Sequence, residues 1–270
     1  MNETILSALE RYYDTVPRRG GARGEDFGAL TLFVQEGNGW QYYARPSLGG
    51  PEATPADVRK VLERQRELEV PEAFEWVAEN SPSLRAAVEA AGLHVHAHPL
   101  MVLDTGAAEP LAPHPEVRAL CAGDPLLAQA VTVAGLAFRE PGTALGQAGP
   151  AELARAVADP STEERRARVS GMLADGRTGM AAAVRDGVVL CSGQYNPVRE
   201  VAEIVGVGTL PAARRQGLAL GVTAALVAQA REGGVTTVFL SAGDEDVARI
   251  YARAGFRRVG TALIAEPPAA

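Results

Sequence analysis

The stretch from Glu203 to Arg231 leaves this chain few folds to choose from. An apolar strand, Glu203 to Thr209, runs into Pro211, which cannot continue a sheet. After Ala212-Ala213-Arg214-Arg215-Gln216, a helical pattern opens at Gly217 and continues to Arg231. Two nucleotide motifs fail here. A dinucleotide fingerprint would begin Gly206-x-Gly208 but meets Pro211 where its third glycine belongs, and the Gly-Lys-Ser/Thr of a Walker loop is absent. What remains is a helix start whose unpaired amides, near Arg215, Gln216, Gly217, Leu218 and Ala219, converge where Gly217 has no side chain to block approach. Such a start can cradle a pyrophosphate. Gly217, Ala219 and Gly221 let a ligand lie close to the backbone, and Arg214 and Arg215 add positive charge. The plain alternative is an ordinary helix start with solvated arginines.

The chain has 270 residues, 47% of them hydrophobic, which allows two domains with cores of their own. Proline and small residues in Asp104 to Pro115 mark the boundary, predicting domains at 1–104 and 116–270 joined by a linker at 105–115. Up to Pro115 there are 17 acidic and 10 basic residues, and from Glu116 onward 16 of each, so the net charge of −7 belongs to the first part. Neither part has the basic field that nucleic acid requires, whereas a small cationic partner is easily accommodated. No apolar run approaches the roughly 18 residues of a membrane-spanning helix, and MNETILSALERYYD is too acidic for a signal peptide. The expectation is a cytoplasmic protein with no membrane partner. Cys121 and Cys191 lack any zinc-type or CxxC spacing and are expected to be buried thiols.

Helices are expected at Glu3 to Tyr13, from Thr54-Pro55, after Ser81-Pro82, and at Leu126 to Phe138, Ala151 to Val157, Glu163 to Leu173, Gly217 to Arg231 and Glu245 to Ala254. Strands are expected at Ala29 to Val34 and Trp40 to Ala44 around a Glu-Gly-Asn-Gly turn. Others are predicted at Phe74 to Val77, Leu93 to Leu103, Met180 to Arg185, Val188 to Tyr195, Glu203 to Thr209, Thr237 to Ser241 and Phe256 to Ile264. Setting residue n beside n+163 brings Gly92 onto Gly255, Leu84 to Leu93 onto Val247 to Phe256, and Trp76-Val77 onto Phe239-Leu240. Both segments read strand, helix, glycine stop, strand. This is either an internal repeat or two amphipathic helices that both end in Ala-Gly.

The segment Arg214-Arg215-Gln216-Gly217-Leu218-Ala219 resembles the Arg/Gln-x-x-Gly-x-Gly/Ala signature of the GNAT superfamily of acyl-CoA N-acyltransferases. Downstream, Tyr251-Ala252-Arg253-Ala254-Gly255-Phe256 resembles that family's Tyr-x-x-x-Gly-Phe element. The resemblance spans Glu116 to about Glu266. It implies an α/β fold with a mixed, largely antiparallel central sheet flanked by helices, and a smaller related N-terminal domain. It implies an N-acetyltransferase that moves an acetyl or short acyl group from acetyl-CoA to a primary amine by direct attack, with no metal. In the family's pattern Val207, Gly208 and Thr209 run beside the pantetheine arm, with an amide, that of Val207, facing the oxyanion. Glu203 matches a carboxylate base, or else is a strand-end surface carboxylate. Tyr251 matches the acid that protonates the CoA thiolate, or else is a half-buried helix side chain. Asp244 stands where the family commonly has asparagine, so that contact is not carried over.

His94, His96 and His98 alternate on one strand, the outer two roughly 13 Å apart, which is too far for one ion. Trp40, Tyr42, Phe74 and Trp76 are expected in a strand core. Ser192 lacks the glycine that opens a nucleophile elbow. If the repeat is real, Pro51 to Ala56 occupies the place of the cofactor loop in the first part, with neither arginine nor glycine, and Val88 replaces the tyrosine. The first part would then bind no CoA and would shape the acceptor cleft or a homodimer surface, its acidity drawing in a cationic amine, or serve as a structural appendage. The competing function is a non-catalytic acyl-CoA binder or sensor.

Overall fold

A computed structural model of the chain describes residues 4–37, 40–104, 112 and 114–268. Its helices are α1 (Ile5–Arg19), α2 (Pro55–Glu67), α3 (Leu84–Ala90), α4 (Leu127–Arg139), α5 (Pro150–Val157), α6 (Pro160–Ala174), α7 (Leu218–Glu232) and α8 (Glu245–Arg253). Its strands are β1 (Ala22–Asp26), β2 (Leu30–Gln35), β3 (Arg45–Pro46), β4 (Phe74–Val77), β5 (His94–Asp104), β6 (Val117–Leu120), β7 (Gly179–Arg185), β8 (Val188–Val198), β9 (Val201–Thr209), β10 (Thr237–Ser241) and β11 (Arg257–Glu266). The chain divides into two compact units: Met1–Leu100 together with Arg258–Ala270, and Met101–Arg257. Of the expected linker, residues 105–111 and 113 lie outside the described residues.

In the first unit β1, β2 and β3 form a small antiparallel sheet. The hairpin comes one strand earlier than expected. Asp26 accepts a hydrogen bond from the Gly28 amide at 2.7 Å and turns the chain between β1 and β2. With its charged Arg23 and Glu25, β1 carries no apolar period that would reveal it in the sequence. Residues 40–43 form no strand and Trp40 is 62% exposed, which corrects its expected place in a strand core. Asn38 and Gly39 of the expected turn lie outside the described residues. Elsewhere in this unit β4 runs antiparallel to β11, Trp76 opposite Leu263, and β11 neighbours β5. Phe74, Trp76, Val58, Leu62, Val88 and Leu263 share one core. Also buried is an Arg45–Glu75 ion pair, its guanidinium 4.0 Å from the Tyr13 ring centre.

The second unit is a three-layer arrangement of the kind that buries both faces of a sheet. Strands run in the order β10-β9-β8-β7-β6, antiparallel except for the β9–β10 pair. On one face lies α4, where Ser192 donates to the Ala130 carbonyl at 2.7 Å. On the other lies α7, whose Val222 and Leu226 fill the space that a side chain at Gly193 would need. The core takes in Leu127, Val133, Met180, Cys191, Ile204, Val222, Leu226, Tyr251 and Phe256, with Met101 and Leu103 from the end of β5. β6 was not expected, because Val117–Leu120 is only four residues long and is interrupted by Arg118. Cys121, expected buried, is exposed just beyond it.

The 163-residue offset reappears in three dimensions. It carries β4 onto β10, α2 onto α7, α3 onto α8 and β5 onto β11. The helix ends match bond for bond: Leu93 N–H donates to Val88 O and Phe256 N–H to Tyr251 O, each at 3.1 Å, and Gly92 and Gly255 both have positive φ. One expected cap moves. α3 begins at Leu84, preceded by Ser83 with no side-chain cap, so Ser81 and Pro82 lie in the turn before it.

Candidate functional site

β9 and β10 pair over three positions only, Val201 with Thr237, Ala202 with Val238 and Glu203 with Phe239. Beyond Glu203 the two strands part, and Ile204 to Thr209 continue with no β10 partner among the described pairs. A parallel pair that opens leaves one edge of β9 with backbone groups available to an extended ligand. Glu203 is the last paired residue and stands at the base of the fork, opposite Asn196 of β8.

The other edge of β9 is irregular at the same level. Ser192 lies opposite Gly208 and Gln194 opposite Val205, so Gly206 and Val207 together face the single residue Gly193. This is a β-bulge, and Gly206 takes the left-handed conformation it requires, φ +63°. The bulge puts Val207 against the α7 side, beside Gly193, while Gly208 turns to α4. A Cβ at Gly208 would lie 2.8 Å from the Ala134 Cα and 3.0 Å from the Ala137 Cβ. Gly208 therefore serves close packing of α4 as well as lying along the fork. Thr209 donates to the Cys191 Sγ at 3.2 Å, and burial pushes that thiol up to about 12.

After β9, a 3-10 turn at Pro211–Ala213 leads to the start of α7. Gly217 is the N-cap, at φ +77°, and no side chain caps the helix. A Cβ at Gly217 would meet nothing within 4 Å, so the space before the helix is open. The amides of Gly217, Leu218 and Ala219 have no backbone acceptor among the described residues. The equivalent start in the first unit is closed. Thr54 accepts from Asp57 N–H and Asp57 accepts from Thr54 N–H, so α2 satisfies its own terminus with a capping box.

Of the two arginines expected to add charge, Arg215 is exposed, also in the left-handed region at φ +63°. Arg214 is committed elsewhere. Its guanidinium donates to the carbonyls of Ala137 at 2.9 Å, Ala144 at 3.1 Å and Glu140. Gln216, exposed, accepts from Arg185 Nη2 at 3.0 Å, a partnership that no motif announces. Gly221 does not open toward a ligand, because a Cβ there would lie 2.6 Å from the His114 Cβ.

Tyr251 sits on the inner face of α8, 9% exposed, its ring edge-on to Phe256. Burial raises its phenol well above the ordinary tyrosine range, and the thiolate form of neighbouring Cys191 adds to the effect, so Tyr251 keeps its proton through neutral pH. Asp244 caps α8, accepting from Val247 N–H at 2.8 Å. Its role here is structural. His94 and His96, expected on one side of a strand, are exposed neighbours with ring centres 4.6 Å apart.

Comparison with known proteins relates the chain to acetyltransferases. The acetyltransferase (GNAT) family matches residues 151–256. A GCN5-related N-acetyltransferase from Kribbella flavida is 25% identical and superposes with a TM-score of 0.70 over 98% of this chain and 96% of its own. A GNAT-family protein from Novosphingobium aromaticivorans is 18% identical, covering 94% of each chain at a TM-score of 0.54. A tandem GNAT protein from the clavulanic acid biosynthesis pathway, 15% identical with a TM-score of 0.54, covers 89% of this chain and 79% of its own. No curated protein matches the sequence. Residues 151–256 thus match the GNAT acetyltransferase family in sequence, and the chain, its N-terminal part included, is GNAT-like in fold.

Proposed function

We propose that this protein transfers an acetyl or short acyl group from acetyl-CoA to a primary amine by direct attack in a ternary complex. The observation that carries the reading is the contrast between two equivalent helix starts, α2 closed by its own capping box and α7 left open at Gly217 below a forked strand pair. The pyrophosphate of CoA would rest on the amides of Arg215, Gln216, Gly217, Leu218 and Ala219, with Arg215 beside it. Arg214 would contribute by fixing the loop. Pantetheine would lie along Val207, Gly208 and Thr209, with the Val207 amide at the bulge facing the oxyanion. Glu203 at the base of the fork would take the proton of the attacking amine, directly or through water. The buried, protonated Tyr251 would give a proton to the departing thiolate. The acceptor would be a small cationic amine, drawn by the acidic first part of the chain.

The test is a screen of primary amines with acetyl-CoA, read by release of free thiol. Turnover with at least one amine supports the transferase. Tight CoA binding without turnover across the panel would favour the sensor.

A further inference from the structure

The cofactor loop contains a conformation that its sequence does not favour. Arg215, a long side chain with a Cβ, has φ +63°, and Gly217 two residues on has φ +77°. A non-glycine residue persists in this region when its surroundings over-determine it. The residues on either side of Arg215 are both anchored. Arg214 is tied to three carbonyls at the end of α4 and the loop after it. Gln216 is tied by Arg185, the last residue of β7. Arg185 is itself fixed by a two-pronged pair with Glu116, Nε to Oε1 at 2.6 Å and Nη2 to Oε2 at 2.9 Å. Two prongs in one plane define the guanidinium's orientation in a way that a single contact does not. The segment that carries Glu116 also places His114 over Gly221 in the first turn of α7. The same stretch of chain thus packs on the helix start and, through Arg185, holds the residue before its cap.

We infer that Arg185, fixed by Glu116, is a positioning residue for the cofactor loop: it holds Gln216 so that the amides from Arg215 to Ala219 are arranged before CoA arrives. This rests on the reading that the loop binds CoA. The pair is part-exposed, so the contribution is modest. The effect of losing it is a weaker CoA affinity by about three- to tenfold.

Calorimetric titration of CoA into the intact protein, Arg185→Ala, Gln216→Ala and the double variant tests the inference, with Glu116→Gln as a milder change that leaves Arg185 in place. Each single variant should weaken CoA binding, and the double variant should be no weaker than the worse single one, because both act through one contact. Glu116→Gln should show a smaller loss in the same direction. If Arg185→Ala weakens binding as much in the Gln216→Ala background as in the parent, Arg185 acts on the phosphates or on stability and the positioning role is overturned. Unchanged affinity in Arg185→Ala or Glu116→Gln likewise overturns it. Failure of the parent protein itself to bind CoA overturns the functional reading beneath it, an outcome distinguishable from either.

Discussion

At the scale of single residues, the chemistry turns on what burial and hydrogen bonding do to a few groups. Tyr251 is held protonated by burial, so its loss should lower the rate without loosening CoA. Tyr251→Phe is expected to reduce turnover by about 100-fold with CoA affinity unchanged, and Glu203→Gln to do the same, both read by thiol release beside calorimetry. Gly217→Ala would force a Cβ into the left-handed region and into the cradle, and should abolish CoA binding while costing about 1 kcal/mol of stability. Asp124 offers a test of structural electrostatics. Arg118 bonds its carboxylate at 2.6 and 3.1 Å and the Leu126 amide adds a third bond, so its carboxyl is held below the usual range, chiefly by Arg118. A depressed folded-state value stabilises the fold above the ordinary carboxylate range, and that stability is lost as pH falls through the depressed value. Asp124→Asn should therefore melt lower than the parent at pH 7, by about 1 kcal/mol of stability, with the gap narrowing at pH 3.

At the scale of elements, sequence reading succeeded where period and punctuation agreed. Thr237 to Ser241 matches β10 residue for residue, and the α7 pattern after Pro211 marks that helix to within one residue at each end. It failed where an element carries no apolar period, as in β1 and β6, and where a turn is built by a side chain, as at Asp26. The segment from Pro211 to Gly217 was legible because proline, arginine and glycine punctuate it. The fork and the bulge were not, since both depend on which strand stops pairing and where. Arg214 shows the limit most clearly: its position beside the loop suggests charge for a ligand, and sequence gives no sign that the same guanidinium also holds three carbonyls. That interaction joins two elements, along with Gly146 N–H to Pro211 O at 3.1 Å and Ala212 N–H to Ala148 O at 3.0 Å. Gly208→Ala, which would drive a Cβ into the α4 backbone, should destabilise the protein by about 1–3 kcal/mol, measured by urea unfolding.

At the scale of the whole molecule, two cores are built from one repeated pattern, but the chain does not cut cleanly between them. The first unit is completed by the final strand, β11, while Met101 and Leu103 at the end of β5 lie in the core of the second. Removing residues 1–104 would strip those two side chains from one core and leave β11 without β4 or β5. The remnant is expected to be poorly soluble or loosely packed, with no cooperative melt, as circular dichroism during heating would show; a sharply melting, soluble remnant would contradict this. Equivalent helices begin differently, with Thr54 and Asp57 capping one start and Gly217 leaving the other bare. On the proposed reading, the bare amides at the start of α7 bind the diphosphate of coenzyme A. Titration calorimetry of the intact protein with CoA tests it most directly. Saturable one-to-one binding at about 1–100 µM that disappears in Gly217→Ala is expected, and the absence of any binding heat from the folded parent protein would contradict it.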